Sequence, residues 1–198
     1  MSDSTTDLPF DGVKVLDLSQ GIAGPYCGMH LARNGADVIK VEPPGDGCWS
    51  RKLGKHTGDQ TAHSVIVNRA KRSLAVDLKT AEGMAIVQKL ASQCDVFIQN
   101  YRVGKIDKFK LDYASVQKTN PNVIYLAITG FGPQGPRCDE PATDSVRSPP
   151  ASFAPETSRS VPSPARSSAM VMSAPFLSPP GVILRCTMRI ACCVSSRL

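Results

Sequence analysis

The sequence predicts an α/β fold, a Rossmann-like open parallel sheet with helices on both faces, in the amino-terminal part of the chain. Short apolar segments rich in β-branched residues recur, segments with helical character alternate with them, and glycines fall where the two kinds of segment meet. Such alternation is typical of a parallel sheet covered by helices on both faces. A tail of different composition, expected to be unstructured or aberrant, follows Val146.

The first unit is a strand, a helix and a second strand. "VKVLDLS" (13–19) and "ADVIKVE" (36–42) are short apolar runs of the kind that form buried parallel strands. "GIAGPYCGMHLARNG" lies between them and predicts a helix, with Pro25 in its first turn and Gly35 at its carboxyl end.

The same pattern then repeats along the chain. "SLAVDL" (73–78) predicts a strand, "TAEGMAIVQKLASQ" a helix with Thr80 as its N-cap, and "DVFIQN" (95–100) a further strand. "YASVQKTNP" and "NVIYLAITGFG" add one more helix and one more strand. The α/β layers are therefore expected over residues 12–130, with a long loop between the second and third strands.

Charge and composition divide the chain at Val146. Residues 1–146 hold 17 basic and 16 acidic residues, whereas residues 147–198 hold six Arg, no Lys, eleven Ser, eight Pro and one acid, Glu156. The net charge of +6 therefore belongs mainly to the tail and does not indicate a nucleic-acid partner. One interpretation is a disordered Ser/Pro/Arg linker. The preferred one is translation from a shifted frame of a GC-rich gene, which gives two segments: a domain over 8–146 and a tail over 147–198 without a native fold.

Cysteine and histidine usage predicts no metal site. The seven Cys are irregularly spaced, with no Cys-x-x-Cys pair, and the three His do not cluster. We expect reduced thiols, with Cys27 and Cys94 as small buried apolar residues. No apolar run approaches the length of a membrane span and the amino terminus does not resemble a signal peptide. The expected location is cytoplasmic, with no membrane partner and the mitochondrion as the alternative.

Residues that follow the predicted strands are the candidate ligand contacts, because ligands of open α/β sheets bind at the carboxyl ends of the strands. Gln20–Pro25 leads into a helix amino terminus, where free N–H groups favour an anionic group. The stretch lacks the G-x-G-x-x-G spacing of dinucleotide-binding folds, which disfavours that class. Glu42 is either a ribose-binding acid or, more simply, a surface carboxylate. Lys79 and Asn100 have equally simple alternatives, as a solvated lysine and a turn former.

A group of basic residues surrounds the long loop. It forms either a solvated face or a phosphate clamp. The group consists of Arg51, Lys52, Lys55, Arg69, Lys71 and Arg72.

Four stretches together resemble the family III CoA-transferases, the CaiB/BaiF group. They are "LPFDGVKVLDLSQGIAGPYCGMHLARNGADVIKVEPPGDG", "NRAKRSLAVDLKTAEG", "CDVFIQNYRVGKIDKFKLDY" and "NPNVIYLAITGFGPQGP", in family order and spacing from Leu8 to about Val146. The resemblance implies a Rossmann-like domain that binds coenzyme A, with CoA or acyl-CoA as a substrate and no tightly bound cofactor. It also implies an interlocked homodimer, which we do not expect of so short a chain.

The resemblance implies CoA contacts on the same strand-end segments. Pro43 departs from the family pattern, in which an Arg is frequent. The implied contacts are Ile22 and Ala23 at the nucleotide end, Val76, Asp77, Leu78 and Lys79 around the adenine and phosphates, Asn100, Tyr101 and Arg102 near the pantetheine arm, and Lys108.

The resemblance also implies the chemistry of an acyl-CoA:carboxylate CoA-transferase. An Asp carboxylate attacks the donor thioester, carries CoA as an enzyme thioester and passes it to an acceptor acid. That Asp is expected about 25 to 30 residues beyond Asp144, where this chain reads "ARSSAMVMSAPF" without a carboxylate. No catalytic residue is therefore assigned, and the chain is expected to be truncated and inactive.

Two alternatives stay open. A racemase of the same family would carry a His beside the position of Asp144, where this chain has Thr143, so the transferase is favoured, with a dicarboxylate as the preferred acceptor. The other alternative is a non-catalytic α/β binding module whose basic tail serves interactions.

Overall fold

The central feature is a parallel sheet with helices on both faces, as the sequence predicts. The computed structural model describes residues 8–138, 140 and 183–187. The strands are β1 (Lys14–Asp17), β2 (Asp37–Glu42), β3 (His56–Thr57), β4 (Gln60–Thr61), β5 (Arg72–Ala75), β6 (Val96–Gln99), β7 (Ile124–Thr129) and β8 (Ile183–Thr187). The helices are α1 (Ala23–Arg33), α2 (Ala62–Asn68), α3 (Ala81–Ala91) and α4 (Tyr113–Thr119).

All strand pairs of the main sheet are parallel. Its order is β5-β2-β1-β6-β7-β8, while β3 and β4 form a separate antiparallel pair. β1 lies between β2 and β6, with Leu16 opposite Ile39 on one side and Phe97 on the other. The parallel arrangement brings the carboxyl ends of β1, β2, β5 and β6 to one edge of the sheet, where ligands of such folds bind.

Alternating side chains of β1 supply both faces of the sheet. Val15 packs with Val38, Ile98 and Ala32 of α1 on one face, while Leu16 packs on the other face with Phe97. Since both faces are covered, Val15 and Leu16 are both buried although they point to opposite faces of the sheet.

Helices α3 and α4 cover the Leu16 face. Val87 and Ala91 of α3 and Val116 of α4 join its core, in which the rings of Phe97 and Tyr125 stack with centroids 4.9 Å apart. This is the larger of the two buried clusters in the described residues, and it extends to the carboxyl edge of the sheet.

Local sequence signals explain where these helices begin and end. Thr80 is the N-cap of α3 as predicted, and its side chain accepts a hydrogen bond from the Gly83 N–H at 3.0 Å. Gly35, with φ of +105°, follows the C-cap residue Asn34 of α1 and ends that helix.

The predicted long loop contains regular structure that the sequence analysis missed. A 3-10 helix, Trp49–Lys52, is followed by the β3–β4 pair and by α2. Thr61 and Ser64 form a reciprocal capping box at the start of α2. This segment packs on the α1 side of the sheet.

One strand comes from the tail. Ile183–Thr187 forms β8, parallel to β7, with Ile183 opposite Tyr125. This differs from the expectation of a tail without elements. The physical reason is that an added parallel strand satisfies the backbone groups of β7, which would otherwise be an open edge. The rest of the predicted tail lies outside the described residues.

Candidate functional site

Two loops at the carboxyl edge of the sheet are joined by one side chain. The Gln20 N–H donates to Asn100 Oδ1 at 2.7 Å, and Asn100 Nδ2 donates to the Gln20 carbonyl at 2.6 Å. Gln20 follows β1 and Asn100 follows β6, and the two residues are 80 positions apart in sequence. Asn100 is thus more than a local turn former, because it fixes the loop that leads into α1.

Ile22 and Ala23 lie where that loop becomes a helix. Ile22 is the N-cap residue of α1 and its side chain makes no capping hydrogen bond, and Ala23 is the first helical residue. Both are half-buried. The first N–H groups of a helix have no intrahelical acceptor, so this amino terminus offers donors and positive potential to an anion.

The predicted segment after β5 is held firmly at the same edge. The Val76 N–H donates to the Glu42 carbonyl at 2.9 Å, and the Lys79 N–H donates to Asp77 Oδ1 at 2.9 Å. Val76 is buried and Leu78 packs against the larger core cluster, while the side chain of Lys79 is exposed. The segment therefore has anchored apolar residues and one cation in solvent.

The segment after β6 likewise combines an apolar side chain packed against the core with cations exposed to solvent. Tyr101 packs against the larger core cluster, with its ring edge-on to Phe109 at 6.2 Å, and burial raises the pKa of its hydroxyl. Arg102 and Lys108 are exposed. The structure thus brings three residues that the sequence analysis predicts as CoA contacts, Val76, Leu78 and Tyr101, to one cluster.

A buried charge cluster lies directly beneath this edge, and the sequence analysis did not predict it. Asp17, the last residue of β1, is fully buried and lies 2.8 Å from Lys71 Nζ and 3.5 Å from Lys40 Nζ. Lys71 Nζ also donates to the Pro25 carbonyl at 2.6 Å and to Asn68 Oδ1 at 3.2 Å. The cluster therefore ties α1 and α2 to the sheet.

The ionisation of Asp17 is set by opposing effects. Burial alone would raise the pKa of this carboxyl, but the ammonium groups of Lys40 and Lys71 and the hydrogen bonds from Lys71 and Ser19 outweigh it and lower the pKa. Asp17 is therefore a carboxylate with its acceptor sites occupied. It serves as a structural anion and is not a free nucleophile.

Glu42 corrects the sequence interpretation. It is 5% exposed rather than a surface carboxylate, and Arg51 binds it in a bidentate manner, with Nε–Oε2 at 2.7 Å and Nη2–Oε1 at 3.2 Å. The Cys48 N–H adds a third hydrogen bond at 3.1 Å. These donors outweigh burial and lower the pKa of Glu42. The side chain is committed to the 3-10 helix and is not free to bind a ribose.

Four of the six predicted basic residues line a cleft of about 290 Å³ between α2 and the β2–β5 side of the sheet. Three of the four have carboxylate partners: Arg51 with Glu42, Lys71 with Asp17, and Arg72 with Asp37 at 2.6 Å. The other two, Lys52 and Lys55, are not cleft residues, and Lys52 pairs with Asp46 at 2.9 Å. Most of these basic side chains are therefore held in intramolecular ion pairs and do not form a ready phosphate clamp. The four cleft residues are Arg51, Arg69, Lys71 and Arg72.

The remaining predictions concern the cysteines, a metal site, a membrane span and the acids of the tail. Cys94 is buried as predicted, and burial raises its pKa to about 12, whereas Cys27 is only partly buried. Within the described residues no three His, Cys, Asp or Glu side chains are grouped as metal ligands. No helix in that part of the chain has the length and apolarity to span a membrane. Asp144, Glu156 and the stretch "ARSSAMVMSAPF" lie outside the described residues.

Several named CoA-transferases are similar in sequence to part of this chain. The chain is 41% identical to "Succinyl-CoA:glutarate CoA-transferase" of Homo sapiens over 148 residues, which is 74% of this chain and 34% of the relative. It is 41% identical to "Succinate--glutarate CoA-transferase" of Agrobacterium fabrum over 145 residues, which is 70% of this chain and 36% of the relative. The chain thus spans about a third of the length of these relatives.

Structural similarity agrees with the sequence. The crystal structure of a CAIB/BAIF family protein from Brucella suis superposes with a TM-score of 0.64 at 41% identity, covering 68% of this chain and 36% of that one. The family model described as CoA-transferase family III matches residues 10–174, a range that extends past Val146. On this match and these relatives, the chain belongs to CoA-transferase family III.

Proposed function

We propose that this chain is the CoA-binding part of an acyl-CoA:carboxylate CoA-transferase and that, by itself, it binds CoA without transferring it. The observation that carries the proposal is the Gln20–Asn100 link, which holds two predicted CoA-contact loops together at the carboxyl edge of the sheet. In open α/β sheets this edge is where ligands bind.

The character of the edge suits a long anionic thioester. Lys79 and Lys108 provide exposed cations for the phosphate groups, since ionised donors form strong hydrogen bonds to phosphate oxygens. Arg102 adds an exposed cation near the pantetheine arm. Val76, Asp77 and Leu78 give a rigid segment for the adenine, and Asn100 and Tyr101 give a polar and an aromatic contact for the pantetheine arm. Ile22 and Ala23 offer the amino terminus of α1 to the nucleotide end.

A dicarboxylate is the acceptor class that we propose for the complete enzyme. The names of several relatives specify glutarate, oxalate or mesaconate, each with two carboxyl groups. The acyl donor named most often among them is succinyl-CoA. This chain aligns with only about a third of those proteins. We propose that the acceptor pocket lies largely outside the matched part.

The chemistry proposed for the complete enzyme needs a nucleophilic carboxylate. An Asp would attack the thioester carbonyl to form a mixed anhydride, and CoA thiolate would then attack the enzyme acyl carbon and release the donor acid. The acceptor carboxylate would then attack the carbonyl of the aspartyl-CoA thioester, which forms a second mixed anhydride and releases CoA thiolate. The thiolate would attack the acyl carbon of the acceptor, which forms the product thioester and frees the Asp carboxylate. Among the described acids, Asp17 and Glu42 are buried in ion pairs and are unsuited to this role.

We further propose that the native domain covers 8–146 and that residues 147–198 are translated from a shifted frame. The support is compositional: Lys disappears and Ser, Pro and Arg accumulate. Limited trypsin digestion tests the consequence for packing. The five Arg of the tail that lie outside β8 should be cut well before the sites in 14–129, whereas resistance at these five sites would contradict the proposal.

Isothermal titration calorimetry of the full chain with CoA, acetyl-CoA and NAD tests the ligand assignment. We expect saturable binding of CoA and its thioester and weaker or undetectable binding of NAD, because the loop after β1 lacks the dinucleotide glycine spacing. Tighter binding of NAD, or no binding of CoA to the folded chain, would overturn the assignment. Circular dichroism on the same sample confirms that the chain is folded when it is titrated.

A further inference from the structure

A tryptophan packs directly on the loop that follows β1. Trp49 starts the 3-10 helix and is 40% exposed. A Cβ atom built on Gly21 would overlap its Cζ2 and lie 2.7 Å from its Cε2. Gly21 also has φ of +79°, a conformation that glycine adopts without strain. The indole is therefore seated against the Gly21 backbone, and only glycine accommodates it there.

The position of the indole is fixed from beneath as well. The Gly21 N–H donates to Cys48 Sγ at 3.1 Å, and Cys48 precedes Trp49 in the chain. The Cys48 N–H in turn donates to buried Glu42. The 3-10 helix and the loop thus form one packed unit, in which part of a large aromatic side chain stays open to solvent.

We propose that Trp49 is a ligand-contacting residue that forms a wall for the adenine of CoA. The inference rests on the proposed function, because Gly21 directly precedes Ile22 and Ala23, the contacts proposed for the nucleotide end. A flat, pre-positioned aromatic surface beside a nucleotide favours offset stacking or edge contact with the base, since every base presents a π-face. The sequence analysis assigned no aromatic residue to the nucleotide end of CoA.

The chain offers a direct optical test, since Trp49 is its only tryptophan. Emission of the full chain would be followed during titration with CoA, adenosine 3′,5′-bisphosphate and pantetheine. CoA and the bisphosphate should change the emission saturably, with the same apparent affinity for CoA as calorimetry, while pantetheine should leave it unchanged. A response to pantetheine alone would overturn the assignment to the adenine.

Variants separate this inference from the proposed function. Trp49→Ala should weaken CoA binding about tenfold and Trp49→Phe by a smaller factor, measured by calorimetry. Phe10→Ala is the matched control, because Phe10 is a similarly exposed aromatic (37%) in the turn before β1, at the other end of that strand, and its removal should leave CoA affinity unchanged.

The outcomes are distinguishable. If the native chain binds CoA by calorimetry but neither Trp49 variant changes the affinity and emission does not respond, the inference fails and the proposed function stands. If the native chain does not bind CoA, both fail. Trp49→Phe decides the matter if Trp49→Ala does not fold, since a phenyl ring keeps contact with Gly21 while reducing the aromatic surface.

Discussion

At the scale of single residues, the fully buried Asp17 carboxylate connects several elements of the fold. It accepts from Ser19 and faces two ammonium groups, Lys40 and Lys71, whose positions lie 23 and 54 residues further along the chain. Lys71 extends the connection to α1 and α2. Removing this carboxylate lowers the free energy of unfolding, because the ammonium groups of Lys40 and Lys71 would stay buried and charged without their anion.

Asp17→Asn should therefore destabilise the fold by about 3 to 5 kcal/mol, because two ammonium groups would lose their anion. Chemical denaturation followed by circular dichroism measures the change. Asp37→Asn is the matched control: Asp37 pairs with Arg72 where both side chains are about half exposed or more, and its loss should cost about 1 kcal/mol or less. Equal effects of the two substitutions would contradict the assignment of Asp17.

The same residue sets a pH dependence. The pKa of Asp17 is lower in the folded chain than its ordinary value of 3.8, so the unfolded chain binds more protons as the pH falls. The stabilisation from ionised Asp17 is complete above that ordinary value and is lost as the pH falls through the folded pKa. Glu42 acts in the same direction. Acid unfolding below about pH 4 should thus be less steep in Asp17→Asn than in the native chain.

The exposed lysines of the proposed site are tested by their effect on CoA affinity rather than on stability. Lys79→Ala and Lys108→Ala should each weaken CoA binding, by about 1 to 3 kcal/mol where the charge-assisted hydrogen bonds form, with little change in stability. Lys14→Ala is the matched control, since Lys14 is an exposed lysine at the start of β1, away from the carboxyl edge. Calorimetry with CoA at two salt concentrations checks the result, and undiminished affinity in both variants would exclude these lysines as contacts.

At the scale of elements, the repeated strand–helix–strand pattern could be predicted because its signals are local. Buried runs mark β1, β2, β6 and β7, and the Thr80 N-cap marks α3. Helix α2 was missed because its sequence, "AHSVIVN", is rich in residues that disfavour helices, and because its capping box uses Ser64 where Glu or Gln is usual. Tertiary contacts of the 3-10 helix with Thr61 stabilise α2 in place of intrinsic propensity.

A substitution at the start of α2 tests that explanation. Thr61 is buried; its hydroxyl accepts from the Ser64 N–H at 3.3 Å and donates to the Ser50 carbonyl at 2.8 Å. Thr61→Ala should cost about 1 to 2 kcal/mol, because a cap is lost and a buried carbonyl loses its donor. Thr119→Ala, at the exposed end of α4, should cost less. Equal losses in urea denaturation would mean that the capping box adds nothing specific.

At the scale of the whole molecule, sequence and topology together predict which strand ends form the candidate site. The strand-end segments were expected to lie together because parallel strands end at one edge, and the Gln20–Asn100 hydrogen bonds join two of them. Asp17, Trp49 and the true partner of Glu42 were not found, since each depends on contacts that only the folded chain creates. The same limit applies to the basic residues, whose carboxylate partners lie on other elements.

The last prediction concerns turnover by the 198-residue chain. It should bind CoA but not transfer it at a useful rate, because the stretch in which the family resemblance places the nucleophilic Asp holds no carboxylate, and removal of a covalent nucleophile costs several orders of magnitude. The purified chain would be mixed with succinyl-CoA and glutarate, oxalate or mesaconate, with hydroxylamine to trap an enzyme-bound acyl group. Asp144→Asn and Glu156→Gln are the matched variants. A trapped adduct that disappears in either variant, together with turnover, would show that this short chain is a competent enzyme.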